Sequence, residues 1–246
     1  MKIDSIINDD LVFGGFTAGN SGIWTRNKAD DPASEDYLAL SRQLDIPTEK
    51  MVRPYQINGE KAAIVDEKHG GCGVIKEDPL TQTDGLVTDV RGVMLSIIAA
   101  DCVPVYLTEP FAGVIGLLHC GRQAAAGKLL HNAVEKMNEL GAVTDRLNVV
   151  IGHHICETCY EVGDDVRADF SESFSADELE MIFSSYGGKY HLDLAKALVL
   201  KAEQESISAG KIRLSGECTC CSNSYYSYRR GDRGKQNLAF LMMKNR

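Results

Sequence analysis

Three apolar segments in the middle of the chain constrain its fold more than any other feature. They span residues 93–100, 103–107 and 112–118, and they are continuous rather than alternating. Continuous apolar runs of this length are typical of strands that are covered on both faces. The sequence therefore predicts a buried β-sheet. Further strands are predicted at 61–66, 147–152 and 236–243.

Two helices are predicted beside this sheet. An apolar stripe with the helical period predicts a helix over about residues 122–140. A second helix is predicted over about 193–208, with Asp193 as its N-cap. Because the first helix connects strands 112–118 and 147–152, we expect those strands to form a parallel pair inside a covered sheet.

The composition fits one mixed α/β domain over residues 1–246, with helices outside the sheets. The chain is 44% hydrophobic, which is enough for a sizeable core, and its net charge of −9 does not support nucleic-acid binding. The first residues lack the pattern of a signal peptide, and no apolar run reaches the roughly 18 residues of a membrane span. We therefore expect a cytoplasmic protein without a membrane partner, whose eight cysteines are mostly reduced.

Cys102 and His119 are the strongest candidates for chemistry. Each lies at the end of an apolar run, so the two are expected at the tips of neighbouring strands. Thiolate and imidazole both bind zinc, and a catalytic zinc site needs a third protein ligand and an open position. The same pair could instead act as a nucleophile and its base. A purely structural role is the third interpretation, because free cysteine is among the most buried residue types.

Other histidines are candidates for the missing third ligand. His153 and His154 follow a predicted strand, and adjacent strand residues point to opposite faces, so at most one of them could reach Cys102. His69 is a further candidate, and any of these could be a loop histidine without a role. The basic cluster at 228–235 could hold a phosphate or form a solvated turn.

Two C-x-x-C pairs form a second candidate metal site. They are Cys156 with Cys159 and Cys218 with Cys221. Four such thiols could form a structural zinc site. The gap between the pairs is far longer than in a zinc ribbon, and free thiols are the alternative interpretation.

Several segments in the same order along the chain resemble the laccase-domain family, which is also called the multicopper polyphenol oxidase family. The segment Ala100–Val105 is similar to the family's Ala-Asp-Cys-x-Pro-Val signature. Any one similarity is weak, but the ordered set is specific and covers nearly the whole chain. The other similar segments are residues 13–17, 83–88, 159–163, 193–194, 218–219 and 226–230.

The resemblance implies a four-layer α/β/β/α fold with two packed mixed sheets and a pocket at the strand ends. It also implies a zinc-dependent purine nucleoside phosphorylase with adenosine deaminase-type activity, whose substrates are a purine nucleoside and phosphate. The family's metal is held by one cysteine and two histidines. The cysteine carries over to Cys102 and one histidine to His119, with copper less favoured than zinc.

The chain departs from the family pattern at the other site positions. The family's Gln-Val-His-Gly motif is replaced here by Gln56-Ile57-Asn58-Gly59, so Asn58 stands where a histidine ligand is expected. An amide oxygen is neutral and weakly basic, which predicts a weakened zinc site. The family's His-Ala-Gly-Trp-Arg motif becomes His119-Cys120-Gly121-Arg122-Gln123. Gln56, Asn58, Arg122 and Arg229 are the expected substrate-binding residues.

Three functions follow as competing hypotheses. The favoured one is an active family enzyme that cleaves a purine nucleoside with phosphate or deaminates adenosine. The second is a degenerate paralogue that binds a nucleoside or a protein without turnover. The third is a metal-free hydrolase with Cys102 as nucleophile and His119 as base.

Overall fold

The computed structural model describes residues 1–19, 21–22, 24, 35–77 and 80–244. Within them the strands, in chain order, are β1 (Ile3–Asn8), β2 (Val12–Thr17), β3 (Met51–Val52), β4 (Ala62–Ile64), β5 (Gly85–Thr88), β6 (Met94–Ala99), β7 (Val103–Glu109), β8 (Val114–Cys120), β9 (Asn148–Ile151), β10 (Glu161–Val162), β11 (Phe183–Tyr186), β12 (Lys189–Leu192), β13 (Ile212–Leu214) and β14 (Asn237–Met243). The α-helices are α1 (Glu35–Leu44), α2 (Arg122–Ala126), α3 (Leu129–Glu139), α4 (Asp164–Ser171), α5 (Ala176–Ile182) and α6 (Leu194–Gln204).

Two mixed sheets form the centre of the molecule. One has five strands in the order β1-β2-β14-β6-β3, and the other has six in the order β13-β9-β7-β8-β5-β4. In each, most neighbours are antiparallel, while β3–β6, β4–β5 and β9–β13 are parallel. A small antiparallel sheet, β10-β12-β11, lies beside them, and the family resemblance had not implied it.

Apolar side chains form three core layers. One lies between the two central sheets, and the other two lie between each sheet and the helices on its outer face. Phe16 and Leu95 of the five-stranded sheet pack against Tyr106 and Leu117 of the six-stranded sheet. The outer face of the six-stranded sheet packs on α3 and α6, and the outer face of the five-stranded sheet packs on α1. This arrangement confirms the predicted four-layer α/β/β/α fold.

The predicted strands in the centre of the chain are confirmed. Strands β6, β7 and β8 are buried along their whole length, as expected for continuous apolar runs covered on both faces. The final strand is β14, and α6 begins after Asp193, whose carboxylate accepts a hydrogen bond from the backbone N–H of Lys196 (2.8 Å). No helix in the described part of the chain is both long and apolar enough to cross a membrane.

Two details of the prediction were wrong. The helix expected over 122–140 is divided into α2 and α3 at Gly127, where the backbone leaves the helical conformation. Strands β8 and β9 do run in the same direction, but β7 lies between them and is antiparallel to both. The helical connection therefore crosses over one strand rather than joining neighbours.

Candidate active site

A pocket of about 410 Å³ opens where the two central sheets end. Cys102 and His119 lie on its wall, which confirms that the fold brings their strand tips together. The volume is in the range of small-molecule sites. The other lining residues are Gln56, Asn58, Ile98, Ala100, Asp101, Arg122, Ile155, Tyr160, Leu194, Tyr228, Arg229 and Gln236.

The position of Cys102 is fixed by Asp101, which lies where the chain passes from β6 in one sheet to β7 in the other. Asp101 has a φ of +86°, an uncommon conformation for a residue with a side chain. Its carboxylate accepts hydrogen bonds from the hydroxyl of Thr219 (2.6 Å), the hydroxyl of Ser227 (3.0 Å) and the backbone N–H of Arg229 (2.7 Å). These bonds stabilise the turn that presents the Cys102 thiol to the pocket.

His119 is oriented by a buried carboxylate. It lies on β8, and its Nδ1 is 2.9 Å from Oδ1 of Asp84, while its backbone N–H donates to the Asp84 carbonyl (2.7 Å). This leaves Nε2 as the ring nitrogen available to Cys102 or to a metal. Burial lowers the pKa of His119, but Cys102 and Asp84 outweigh burial and raise it to about 9. Burial raises the pKa of Asp84, but the hydrogen bond with His119 and those from backbone N–H groups lower it overall.

Asp84 also shapes the loop that carries Asn58. Its two oxygens accept backbone N–H groups of Ile57 (3.0 Å), Asn58 (3.0 Å) and Gly59 (2.8 Å). Asn58 has a φ of +61°, a region that asparagine tolerates better than most residues. One carboxylate thus fixes both a candidate ligand loop and the ring of His119.

Gln56 anchors the same loop to β6. Its side-chain Nε2 donates to the carbonyl of Ile98 (2.8 Å), and its Oε1 accepts the backbone N–H of Ile98 (2.8 Å). Both polar atoms of the Gln56 side-chain amide are therefore hydrogen-bonded to the backbone of β6. Gln56 lines the pocket as expected, and its geometry gives it a part in positioning the loop.

The donor chemistry around Cys102 fits a zinc ion. Oδ1 of Asn58 lies 3.9 Å from the Cys102 Sγ, and His119 approaches the same thiol. A Cβ added at Gly121 would lie 3.1 Å from that Oδ1 and 3.2 Å from that Sγ, so glycine keeps the space beside the donor atoms free. A carboxylate bound to the second nitrogen of a ligand histidine, here Asp84, is the usual outer support of such sites.

The other candidate histidines do not line this pocket. His69 pairs with Asp66 (2.8 Å) in a 3₁₀ turn. His153 stacks on Tyr225, and Nδ1 of His154 lies 2.7 Å from the carbonyl of Gly152. None of these three histidines lines the pocket, and Asn58 is the oxygen donor that the fold places beside Cys102.

The two pocket arginines differ in how they are held. Arg122 begins α2 and is partly exposed, with Asp165 at 3.9 Å. Arg229 lies over the ring of Tyr160 (5.0 Å) and donates to the carbonyls of Glu161 and Cys159. Arg122 therefore has more donor capacity left for an anion than Arg229.

Sequence reasoning did not single out Asp101 and Tyr160, which line the pocket, or Asp84, which holds His119 from behind it. Asp84 and Asp101 lie inside two of the similar segments, where an aspartate next to a strand end was the available signal. Tyr160 directly follows a C-x-x-C pair and lies inside the similar segment 159–163, which was the only signal for it. Their roles depend on contacts between residues that are distant in sequence.

The comparisons with known proteins agree with this architecture. Residues 14–244 match the family model described as multi-copper polyphenol oxidoreductase laccase. The chain belongs to this family. It is 34% identical over 220 residues to a purine nucleoside phosphorylase of Deinococcus radiodurans, covering 88% of this chain and 80% of that protein. It is 31% identical over 196 residues to adenosine deaminase RL5 from an unknown prokaryotic organism, covering 78% of this chain and 74% of that protein.

Solved structures of similar proteins show the same fold as this laccase-family chain. The crystal structure of YlmD from Geobacillus stearothermophilus superposes with a TM-score of 0.85 at 27% identity, covering 95% of this chain and 92% of that chain. The fold of this laccase-family chain, which places the pocket at its strand ends, therefore agrees with the solved structure.

Proposed function

We propose that this chain is a purine nucleoside phosphorylase with adenosine deaminase-type activity, and that it uses zinc held by Cys102, His119 and, more weakly, Asn58. The observation that carries this proposal is the convergence of a thiol, a carboxylate-oriented imidazole and an arginine in one pocket of about 410 Å³. The names of the similar proteins support the reaction class. Since residues of both central sheets line the pocket, we also propose that residues 1–246 act as one domain.

The pocket offers complementary groups for a purine nucleoside and phosphate. Tyr160 and Tyr228 present aromatic rings on which a purine can stack. Arg122 is the group we assign to phosphate, because a guanidinium forms paired hydrogen bonds with phosphate oxygens. Arg229 holds Tyr160 in place and adds positive charge. In phosphorolysis the bond between the base and the sugar breaks, and a phosphate oxygen bonds to the sugar carbon.

Zinc bound in this pocket would act as a Lewis acid that stabilises developing negative charge and lowers the pKa of water. Asp84 keeps the Nδ1 proton of His119 in place, so that Nε2 faces the pocket. Asn58 supplies only a neutral oxygen in place of an imidazole. The proposed site therefore retains the family's cofactor with reduced affinity.

The test is turnover of inosine and adenosine by zinc-supplemented protein in phosphate buffer, followed by chromatography. The proposal predicts release of free base that needs phosphate, and inosine formation from adenosine. A Cys102→Ala variant serves as the control for contaminating activity. Nucleoside binding without any product would favour the degenerate paralogue.

A metal-free cysteine hydrolase is the second candidate function. The observation that favours it is Asp84, which completes a Cys102–His119–Asp84 arrangement like the triads of cysteine hydrolases. This function predicts selective alkylation of Cys102 by iodoacetamide in chelator-treated protein and turnover that survives chelation. Slow, uniform labelling of all eight cysteines would contradict it.

A further inference from the structure

We propose that Cys156, Cys159, Cys218 and Cys221 bind one zinc ion as a structural site that is separate from the active-site pocket. The sulfur atoms of these residues, here called the tetrathiol cluster, all lie within 4.8 Å of one another. None of the four lines the pocket. Four cysteines are a complete ligand set for tetrahedral structural zinc.

The distances in the tetrathiol cluster are compatible with a tetrahedral ion. Zn–S bonds of about 2.3 Å place the sulfurs of a tetrahedral site roughly 3.8 Å apart. The Sγ atoms of Cys156 and Cys221 are 3.9 Å apart, and those of Cys159 and Cys221 are 3.1 Å apart. Both separations exceed the roughly 2.05 Å of a disulfide, and all eight cysteines are free. Small side-chain rotations are enough to seat an ion.

Backbone and hydroxyl groups support two of the four sulfurs, those of Cys218 and Cys156. Sγ of Cys218 accepts the backbone N–H groups of Cys156 (3.2 Å) and Cys221 (3.3 Å). The hydroxyl of Thr158 lies 3.1 Å from the Cys156 Sγ. Donors aimed at sulfur stabilise thiolates, as outer groups do around bound metals.

The fold closes the long gap between the two C-x-x-C pairs. The backbone N–H of His154 donates to the carbonyl of Glu217 (3.2 Å), and that of Thr219 donates to the carbonyl of His154 (2.9 Å). These bonds lay the two cysteine turns side by side although about 60 residues separate them in sequence. The cysteines of the turns are partly exposed rather than buried in a core. A metal ion would supply the cross-link that apolar packing does not provide there.

The tetrathiol cluster also holds one wall of the pocket. Cys159 precedes Tyr160, and the guanidinium of Arg229 donates to the Cys159 carbonyl (3.3 Å). On the other turn, Thr219 bonds to Asp101, the residue before Cys102. Zinc in the cluster would therefore stabilise the position of the pocket wall without contacting substrate.

The experiment measures zinc per chain by mass spectrometry in untagged protein that was loaded with zinc and freed of excess metal. Cys221→Ser and Cys159→Ser are compared with Cys220→Ser, a matched control in the same turn that lies outside the tetrathiol cluster. We expect each cluster variant to lose about one ion per chain, while Cys220→Ser keeps the wild-type content. Cys102→Ala is measured in parallel and is expected to keep the cluster ion, which makes this result independent of the proposed function.

Cobalt binding to wild-type protein is the second measurement, in case the variants do not fold. Loading with Co²⁺ alone is expected to give the thiolate-to-cobalt absorption of a tetrahedral tetrathiolate site, also in the Cys102→Ala protein. Equal zinc content in Cys221→Ser and Cys220→Ser, or no thiolate-cobalt band, would overturn the proposal. So would a stable disulfide within the cluster in freshly purified protein, and one iron per chain would overturn the choice of zinc.

Discussion

The active-site pocket and the tetrathiol cluster are two cysteine-containing regions that differ in how their donors are held. In the pocket, Cys102 and His119 are supported by buried aspartates, and the third donor is the weak oxygen of Asn58. In the tetrathiol cluster the four donors are all thiols, and one of them, Cys218, accepts two backbone N–H groups. The first arrangement suits an open site where a substrate approaches, and the second suits a closed structural ion.

If both sites bind metal as proposed, the number and accessibility of the thiols distinguish the reactive site from the structural one within one chain. A closed four-sulfur site gains affinity from every ligand but leaves no position for a substrate. The proposed pocket site has one ligand fewer and keeps an open position for the substrate. We therefore expect the cluster to retain metal under conditions in which the pocket loses it.

Cys102→Ala should change turnover more than any other substitution, and it tests the difference between the pocket and the tetrathiol cluster most directly. Removing this thiol should lower purine release about a thousandfold or more, because the proposed zinc site depends on it. Steady-state kinetics with inosine and phosphate measure this. Cys120→Ala is the matched control, since burial raises the pKa of that thiol and keeps it inert in the core. Equal loss in both variants would remove the distinction between the two thiols.

Asp84→Asn tests whether a carboxylate supports the pocket. The neutral amide is a weaker acceptor for the Nδ1 proton of His119, and it has fewer acceptor sites for the backbone N–H groups of the Asn58 loop. We expect a loss of about 10- to 100-fold in zinc affinity or kcat/KM, as for other outer-shell groups. Chelator competition and kinetics measure the two quantities, and circular dichroism checks the fold. Wild-type affinity in a folded variant would contradict the assigned role.

Chelation tests how much the proposed ion of the tetrathiol cluster contributes to stability. Removing its ion should lower the melting temperature of wild-type protein by about 4–8 °C, or about 2 kcal/mol for a chain of this size. The shift should persist in Cys102→Ala and vanish in Cys221→Ser. Differential scanning calorimetry with and without a strong chelator gives the comparison. A shift that follows Cys102 instead would assign the stabilising ion to the pocket.

Asn58→His tests whether the amide of Asn58 is the reason for the lower zinc affinity expected of the pocket. An imidazole in place of the amide should raise zinc affinity about tenfold, since histidine is tolerated at positive φ and is a stronger ligand. Asn58→Gln is the control that changes length without adding an imidazole. Competition with a fluorescent zinc chelator measures both. Unchanged affinity in Asn58→His would mean that Asn58 does not face the ion.

The smallest expected effect is a pH dependence of stability from His153, which lies beside the loop of the tetrathiol cluster. Burial lowers the pKa of His153, while Asp4 and Glu217 partly oppose this and His154 adds to it. Its Nδ1 accepts the backbone N–H of Glu217 (2.7 Å), so protonation there would break that bond.

The unfolded chain therefore takes up this proton first as the pH falls. The contribution of His153 to the free energy of unfolding is complete above about pH 6.5 and is lost below it, by at most about 1.4 kcal/mol per pH unit. Urea unfolding between pH 7.5 and 5 should show this slope, and His153→Asn should flatten it. An identical slope in the variant would exclude His153 as its source.

The central strands and the partnership of Cys102 with His119 could be predicted from local patterns, whereas the four layers were predicted only from the family resemblance. Strands such as β7 follow from a continuous apolar run, and the pair follows from its place at strand ends. The break at Gly127 was missed because the apolar stripe lies in α3 and does not define where that helix begins. The roles of Asp84 and the closure of the tetrathiol cluster require distant segments to meet, which spacing alone does not specify.

We propose above all that the pocket cleaves purine nucleosides with phosphate. Zinc-supplemented wild-type protein is incubated with inosine, with and without phosphate, and hypoxanthine and ribose 1-phosphate are quantified. We expect equal amounts of both products in phosphate, none without it, and about a thousandfold less with Cys102→Ala. No hypoxanthine above the Cys102→Ala background from folded, zinc-loaded protein would contradict this proposal.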